Sequence, residues 1–191
     1  MKYKDTIFYL IIRPIISNLF KLIYRPKIIN SEFIPKNGKI ILAGNHTNNL
    51  DCVLLLSSTK RQIHFLAKDE LMQGLKKVLF KNLGIIPVNR KIKDKSVIPI
   101  SKKYLDNDLV IGIFPEGTTE KGCGYILPFK IGAVKLSFET DTYIVPFKIT
   151  GTYKPFSKDL KIEFTKCFKA NENLIKSNEN LYNIINNIGS E

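Results

Sequence analysis

The stretch KIILAGNHTNNLDCVLLL, Lys39 to Leu56, runs from an apolar segment through a glycine and a polar turn into a second apolar segment. The first segment, Lys39 to Ala43, is long enough for a strand and too short for a helix, and the Asn/Thr cluster behind it is turn chemistry. Leu50 to Ser58 then reads as a helix. A strand that passes its chain to a helix through a short polar turn is the repeating unit of an α/β domain, and that is the fold class expected here.

Outward from this stretch the same alternation continues. Apolar runs predict strands over Ile63 to Ala67, Ile85 to Val88, Leu109 to Phe114, Tyr143 to Ile149 and Lys161 to Thr165, and helical spacing predicts helices over Asp69 to Leu83, Lys95 to Asn107, Lys130 to Glu139 and Leu174 to Ile188. Gly and Pro fall at the ends of these runs. The exception is Pro146, which lies inside one and predicts an edge or bulge position for that strand. At 191 residues, with 44% hydrophobic and 25% charged residues, the chain has the length for one substantial core and no need of a second domain. The expected division is an N-terminal segment, 1–25, and one domain, 26–191.

Charge narrows the function classes. Thirty Lys and Arg against 17 Asp and Glu leave a formal +13, which favours an anionic partner such as phosphate, acidic lipid or nucleic acid. A Lys-, Ile- and Asn-rich composition from an AT-rich genome accounts for most of that excess equally well. The basic residues are spread along the chain without a nucleic-acid reading motif, so no specific nucleic-acid partner is expected. Cys52, Cys123 and Cys167 have no metal-ligand spacing and read as reduced thiols.

Between Thr6 and Tyr24 the sequence TIFYLIIRPIISNLFKLIY is mostly apolar, but Arg13 and Lys21 interrupt it and Pro14 sits in its middle. A spanning helix needs about 20 predominantly apolar residues, and the uninterrupted runs are shorter. One or two short amphipathic helices lying in a membrane interface fit better, with Phe8, Ile11, Ile12, Ile15, Leu19, Leu22 and Ile23 toward the acyl region. Lys2, Lys4, Arg13, Lys21, Arg25 and Lys27 would then reach for headgroup phosphates. Packing of the same apolar face on the domain core is the alternative.

Four segments carry chemistry. In GNHTNNLD, Gly44 to Asp51, four residues separate His46 from Asp51, so a regular helix would not put them on one face. A turn that starts a helix near Asn48 could fold the carboxylate onto the imidazole and make a general-base pair. The same residues also suit turn and cap positions that satisfy backbone groups. In FPEGTTEKG, Phe114 to Gly122, a Pro-Glu-Gly turn at a strand end would expose Glu116 and aim the Gly117 and Thr118 N–H groups at a ligand. GIIPVNR, Gly84 to Arg90, ends a strand in an Arg whose planar fork suits phosphate. IVPFKITG, Ile144 to Gly151, is the Pro-containing strand. His64 reads as a packed or edge-strand histidine.

In this order the four segments resemble the 1-acylglycerol-3-phosphate acyltransferase family, also called the glycerolipid or lysophospholipid acyltransferases. Its members show Asn-His-x-x-x-x-Asp, then Gly-x-x-x-Val-x-Arg, then Phe-Pro-Glu-Gly-Thr-Arg, then a Pro-containing apolar strand. FLAKDEL, Phe65 to Leu71, and LPFKIGA, Leu127 to Ala133, are family-like as well. The resemblance extends from about Ile28 to Gly151. It implies an α/β acyltransferase domain with a mixed central sheet flanked by helices, beside the N-terminal membrane-contact helical segment. The implied activity is transfer of a fatty acyl group from acyl carrier protein or coenzyme A to the free hydroxyl of a lysophospholipid, 1-acylglycerol-3-phosphate first, giving phosphatidic acid in phospholipid biosynthesis.

Residue by residue, the resemblance implies that His46 deprotonates the acceptor hydroxyl and Asp51 orients His46. Arg90, with Lys68 as a helper, holds the acceptor phosphate; Glu116, Gly117 and Thr118 shape the acceptor site. No metal and no cofactor beyond the thioester donor are implied, and the place of action is the cytoplasmic face of the cell membrane, peripheral or monotopic, on an anionic surface. One departure stands out: Thr119 occupies the position where the family usually has Arg, which leaves Lys121 or Lys130 to supply that phosphate contact. Another lysolipid or glycerol-3-phosphate is therefore an alternative acceptor. A hydrolase lacks support because there is no Gly-x-Ser-x-Gly elbow. A catalytically silent basic lipid- or nucleic-acid-binding protein is the alternative of another class.

Overall fold

Every residue of β2 (Ile40–Gly44) is buried, and its side chains alternate between two cores. Ile40 and Leu42 enter one, Ile41 and Ala43 the other, as the two-residue period of a strand requires when both faces are covered. The computed structural model describes residues 7–71, 84–88, 96–119 and 125–189. Around β2 these residues form a sheet of seven strands, in order β1 (Lys27–Ile29), β7 (Lys161–Phe164), β6 (Ile144–Thr150), β2, β5 (Val110–Ile113), β3 (Ile63–Lys68), β4 (Ile86–Val88). Only β6 and β7 pair antiparallel, so the sheet is mixed.

Helices cover both faces. Phe20 of α1 (Ile7–Tyr24) and Leu54 and Leu55 of α2 (Asp51–Ser58) fill the core on the Leu42 side. The Ile41 side is covered by α3 (Val97–Leu105), α4 (Gly132–Thr140) and α5 (Leu174–Asn187), through Leu105, Val134, Leu136, Leu181 and Ile185. A three-layer α/β domain results, as the alternation of apolar runs predicts. The expected helix from Asp69 begins as a short 3₁₀ turn, Asp69–Leu71, and its remainder falls outside the described residues.

Three expectations change. First, β1 has no counterpart in the sequence reading. It is three residues long and follows α1 almost directly, too short for a periodicity to show. Second, Pro146 lies in an internal strand, not at an edge: β6 runs between β2 and β7. The position is tolerated because Pro146 stands at the end of the ladder with β7. Its carbonyl accepts from Thr165 N at 3.1 Å, and the donor that would return the bond is the one proline lacks.

Third, Ile7–Tyr24 is one continuous helix through Pro14, and its two faces differ. Tyr9, Ser17 and Phe20 are buried, on the stripe that meets α2 and the core. Leu10, Ile11, Ile15, Leu19 and Leu22 stand 55 to 65% exposed on the other. Packing on the domain core, the alternative reading, thus accounts for the buried stripe, and the other face stays open. Arg13 does not reach outward to headgroups: its guanidinium donates to the Leu56 carbonyl, at 3.2 Å from one nitrogen, and to the Thr59 carbonyl at the end of α2. A cation there meets carbonyls that the helix leaves unpaired. Among the described residues no helix is long and apolar enough to cross a membrane.

Candidate active site

Three adjacent parallel strands, β5, β2 and β6, end on the same side of the sheet, and the loops leaving them converge. In open α/β sheets this carboxyl edge is where ligands are bound. Gly44 ends β2 because a Cβ there would come within 2.3 Å of the Phe147 ring. Asn45, 5% exposed, then substitutes its side chain for further strand: its amide donates to Ile149 O at 2.9 Å and accepts from Ile149 N at 2.7 Å. That pairing satisfies β6 and turns the chain, so His46 leaves the sheet at a fixed point.

The turn from His46 into α2 is built around one carboxylate. Asp51 is fully buried in the first turn of α2, where an acidic group is favoured by the helix dipole. Its Oδ2 accepts from Thr47 N at 2.6 Å and Asn48 N at 2.9 Å, and lies 2.8 Å from His46 Nδ1. Its Oδ1 accepts from Thr47 Oγ1 at 3.1 Å and from the Tyr153 hydroxyl. The turn itself is an Asx arrangement, with Asn48 Oδ1 accepting from Leu50 N at 3.0 Å. Oδ2 already accepts from two backbone N–H groups, so a donating Nδ1 suits it, and Nε2 is then the ring nitrogen left to take a proton.

The ring is also held from its face. His46 stacks on Phe114 at 4.2 Å between centroids and 17° between planes, while its side chain stays 17% exposed. Phe114 in turn opens the Phe-Pro-Glu-Gly turn at the end of β5. Glu116 in that turn is 4% exposed, and its oxygens accept from His46 N at 2.7 Å and Leu127 N at 3.0 Å. A buried carboxylate with charge-assisted bonds to two loops fixes their separation. Gly117 has a φ of +71°, and a Cβ on it would lie 2.8 Å from Lys130 Nζ, so the lysine side chain passes directly over the turn. Lys130 N donates to Pro115 O at 2.9 Å, anchoring the same loop.

His46, Asp51, Glu116, Gly117 and Lys130 are therefore brought together. Thr118 is exposed beside them. The Gly117 N–H does not face outward as the turn chemistry suggested; it closes the turn on Phe114 O at 3.0 Å. Lys68 ends β3, but its side chain is not among the described parts, and Arg90 and Lys121 lie outside the described residues. Among the described residues no group of His, Cys, Asp and Glu is gathered as metal ligands would be. Cys52, next to Asp51, is no ready nucleophile: burial, and then the Asp51 charge, push its thiol up to about 12.

Two members of this arrangement are given no role in the sequence reading. Asn45 stands next to the histidine, yet its partner Ile149 is on another strand. Tyr153 follows β6 by a few residues, and only the parallel pairing of β6 with β2 brings its loop to Asp51. Its place just after the Pro-containing apolar run is the one sequence signal that points to it.

The chain has relatives. The family model described as Acyltransferase matches residues 25–150, well over half of the 191 residues. A protein of Borreliella burgdorferi named 1-acyl-sn-glycerol-3-phosphate acyltransferase is 31% identical over 136 residues, 70% of this chain and 54% of that one. One of the same name from Bacillus subtilis is 31% identical over 127 residues, 65% of this chain and 62% of that one. The chain spans about half the length of the curated relatives it matches. The crystal structure of the 1-acyl-sn-glycerophosphate acyltransferase PlsC of Thermotoga maritima superposes with a TM-score of 0.72, covering 94% of this chain and 80% of that one, at 21% identity. That likeness concerns the fold.

Proposed function

Because this chain belongs to the acyltransferase family, we propose that it transfers a fatty acyl group from an acyl thioester to the free hydroxyl of a lysophospholipid, 1-acylglycerol-3-phosphate first among them, giving phosphatidic acid. The observation that carries the proposal is the His46 Nδ1 to Asp51 Oδ2 contact of 2.8 Å at the end of β2, inside the region the family model matches.

In this reading His46 Nε2 takes the proton of the acceptor hydroxyl as its oxygen attacks the thioester carbonyl. The tetrahedral species collapses with cleavage of the carbon–sulfur bond, and the departing thiolate takes the proton back from the imidazolium. A new oxygen ester and a free thiol leave together, and the enzyme is unchanged. Asp51 stabilises the imidazolium in between. The reaction needs no acyl-enzyme, consistent with the protonated state of Cys52. Lys130, over the Gly117 turn, supplies the positive charge that the family's Arg would bring at Thr119, with Arg90 and Lys68 as further cations for the acceptor phosphate. Glu116, Gly117 and Thr118 shape the wall between them. Acyl carrier protein or coenzyme A carries the donor.

The open face of α1 gives this chemistry its place. Ile11, Ile15, Leu19 and Leu22 form an exposed apolar stripe, near Lys21 on the same helix, as an interfacial helix on an anionic membrane would. Peripheral attachment through this stripe, at the cytoplasmic face of the cell membrane, is part of the proposal. The test is consumption of a palmitoyl thioester by vesicle-bound protein, with and without lysolipid. Consumption that depends on the lysolipid is the expected result; equal consumption without it would make the protein a thioesterase.

A further inference from the structure

We infer that Tyr153 is a positioning residue of this active site, holding the Asp51 carboxylate in the orientation that aims His46, and that it does so from outside the region the family model matches. The inference rests on the acyl-transfer reading for its kinetic consequence and on geometry for everything else.

Asp51 has two oxygens with distinct partners. Oδ2 faces His46 Nδ1 and two backbone N–H groups of its own turn; Oδ1 has Thr47 Oγ1 and the Tyr153 hydroxyl. Every partner but Tyr153 belongs to the segment His46 to Asp51 and moves with it. Tyr153 comes from 102 residues away, so it is the bond that ties the carboxylate to the rest of the domain. A carboxylate rotating about its Cβ–Cγ bond would carry Oδ2 away from the imidazole. A donor fixed on Oδ1 opposes that rotation.

The donor is itself fixed. Its ring packs against Phe20 and Tyr24 of α1, at 6.3 and 5.9 Å between centroids, both edge-on. The loop that carries it is tied at Phe156 N to Ile23 O, 2.6 Å, at the end of the same helix. At the other side of the loop, Gly151 has a φ of +84° and passes so close to Asp159 O that a Cβ would lie 2.2 Å from it. Thr152 N and Oγ1 both donate to Asp159 Oδ2. Burial first, then the charge of Asp51 and the bond to it, raise the Tyr153 phenol well above its usual range, so it remains a donor at any pH at which the enzyme works. A substrate-touching role fits less well, because its hydroxyl is already committed to a carboxylate with no exposed surface.

Tyr153→Phe keeps the ring in its aromatic seat and removes only the hydroxyl, and a thermal melt confirms that the full chain folds. In acyl transfer on vesicles we expect kcat to fall roughly tenfold, the loss of one hydrogen bond to a charged group, with KM for thioester and lysolipid both within about twofold. The second readout is independent of turnover: the downfield NMR resonance of the His46 Nδ1 proton, assigned by its disappearance in His46→Ala, shifts in Tyr153→Phe. A kcat equal to wild type with an unmoved resonance overturns the inference, as does a raised acceptor KM at unchanged kcat, which would place the hydroxyl on substrate. If the wild type transfers nothing to any lysolipid, the acyl-transfer reading is lost, and the resonance alone decides the positioning role.

Discussion

If the proposed reaction holds, His46→Ala should cut acyl transfer steeply while leaving the protein folded. The expected loss is about 10² to 10⁴-fold in kcat, the range a positioned general base contributes, with KM for the lysolipid little changed. The substitution is clean for a reason visible in the turn. Asp51 is fully buried, and stripping its partners would leave a buried charge unsatisfied. Removing the imidazole takes away one donor, but Thr47 N, Thr47 Oγ1, Asn48 N and Tyr153 OH remain. His46 N, a backbone group, keeps its bond to Glu116. A melting midpoint within a few degrees of wild type is therefore expected alongside the loss of turnover. Unfolding, or turnover within about tenfold of wild type, would mean the imidazole is structural.

The second large effect concerns the membrane. Replacing Ile15, Leu19 and Leu22 together by serine should weaken binding to anionic vesicles about 100-fold, at roughly 1 kcal/mol for each side chain that leaves the acyl region. These three are 55 to 65% exposed and belong to neither core, so the fold should tolerate their loss. Deleting the helix would be a poorer experiment. Tyr9 and Phe20 are 1% and 5% exposed against the core, and Arg13 caps α2. Vesicle affinity equal to wild type in the triple variant, measured by flotation, would show that the stripe has another use.

The elements that the sequence discloses are those with a strong period. The apolar run before the Gly44 turn reads as a strand, and the structure has it as β2, buried at every position in the interior of the sheet. His64 reads as a packed or edge-strand histidine; it is buried on an internal strand, with its Nδ1 2.7 Å from Gly84 O. β1 is hidden by its length, and Pro146 misleads because its missing N–H falls at the end of the β7 ladder, where an internal strand can do without it. Arg13 misleads for a related reason. A cation in an apolar helix invites a headgroup, but the end of α2 offers carbonyls nearer at hand.

The site divides the same way. His46 and Asp51 are close in the chain, and a polar turn before a helix suffices to suggest that they meet. Glu116 and Lys130 are visible as residues, but not their work: the carboxylate faces inward to two backbone N–H groups, and the lysine crosses Gly117. Tyr153 depends on the parallel pairing of β2 with β6, a long-range fact that no local pattern encodes.

The measurement that tests the central claim most directly is product identification from a palmitoyl or oleoyl thioester offered, on vesicle-bound protein, to a panel of lysolipids together with glycerol-3-phosphate. Acylation of 1-acylglycerol-3-phosphate to phosphatidic acid, ahead of lysolipids without a free phosphate, is the predicted result. A thioester left intact by every acceptor, or hydrolysed at one rate whichever is present, would contradict the account.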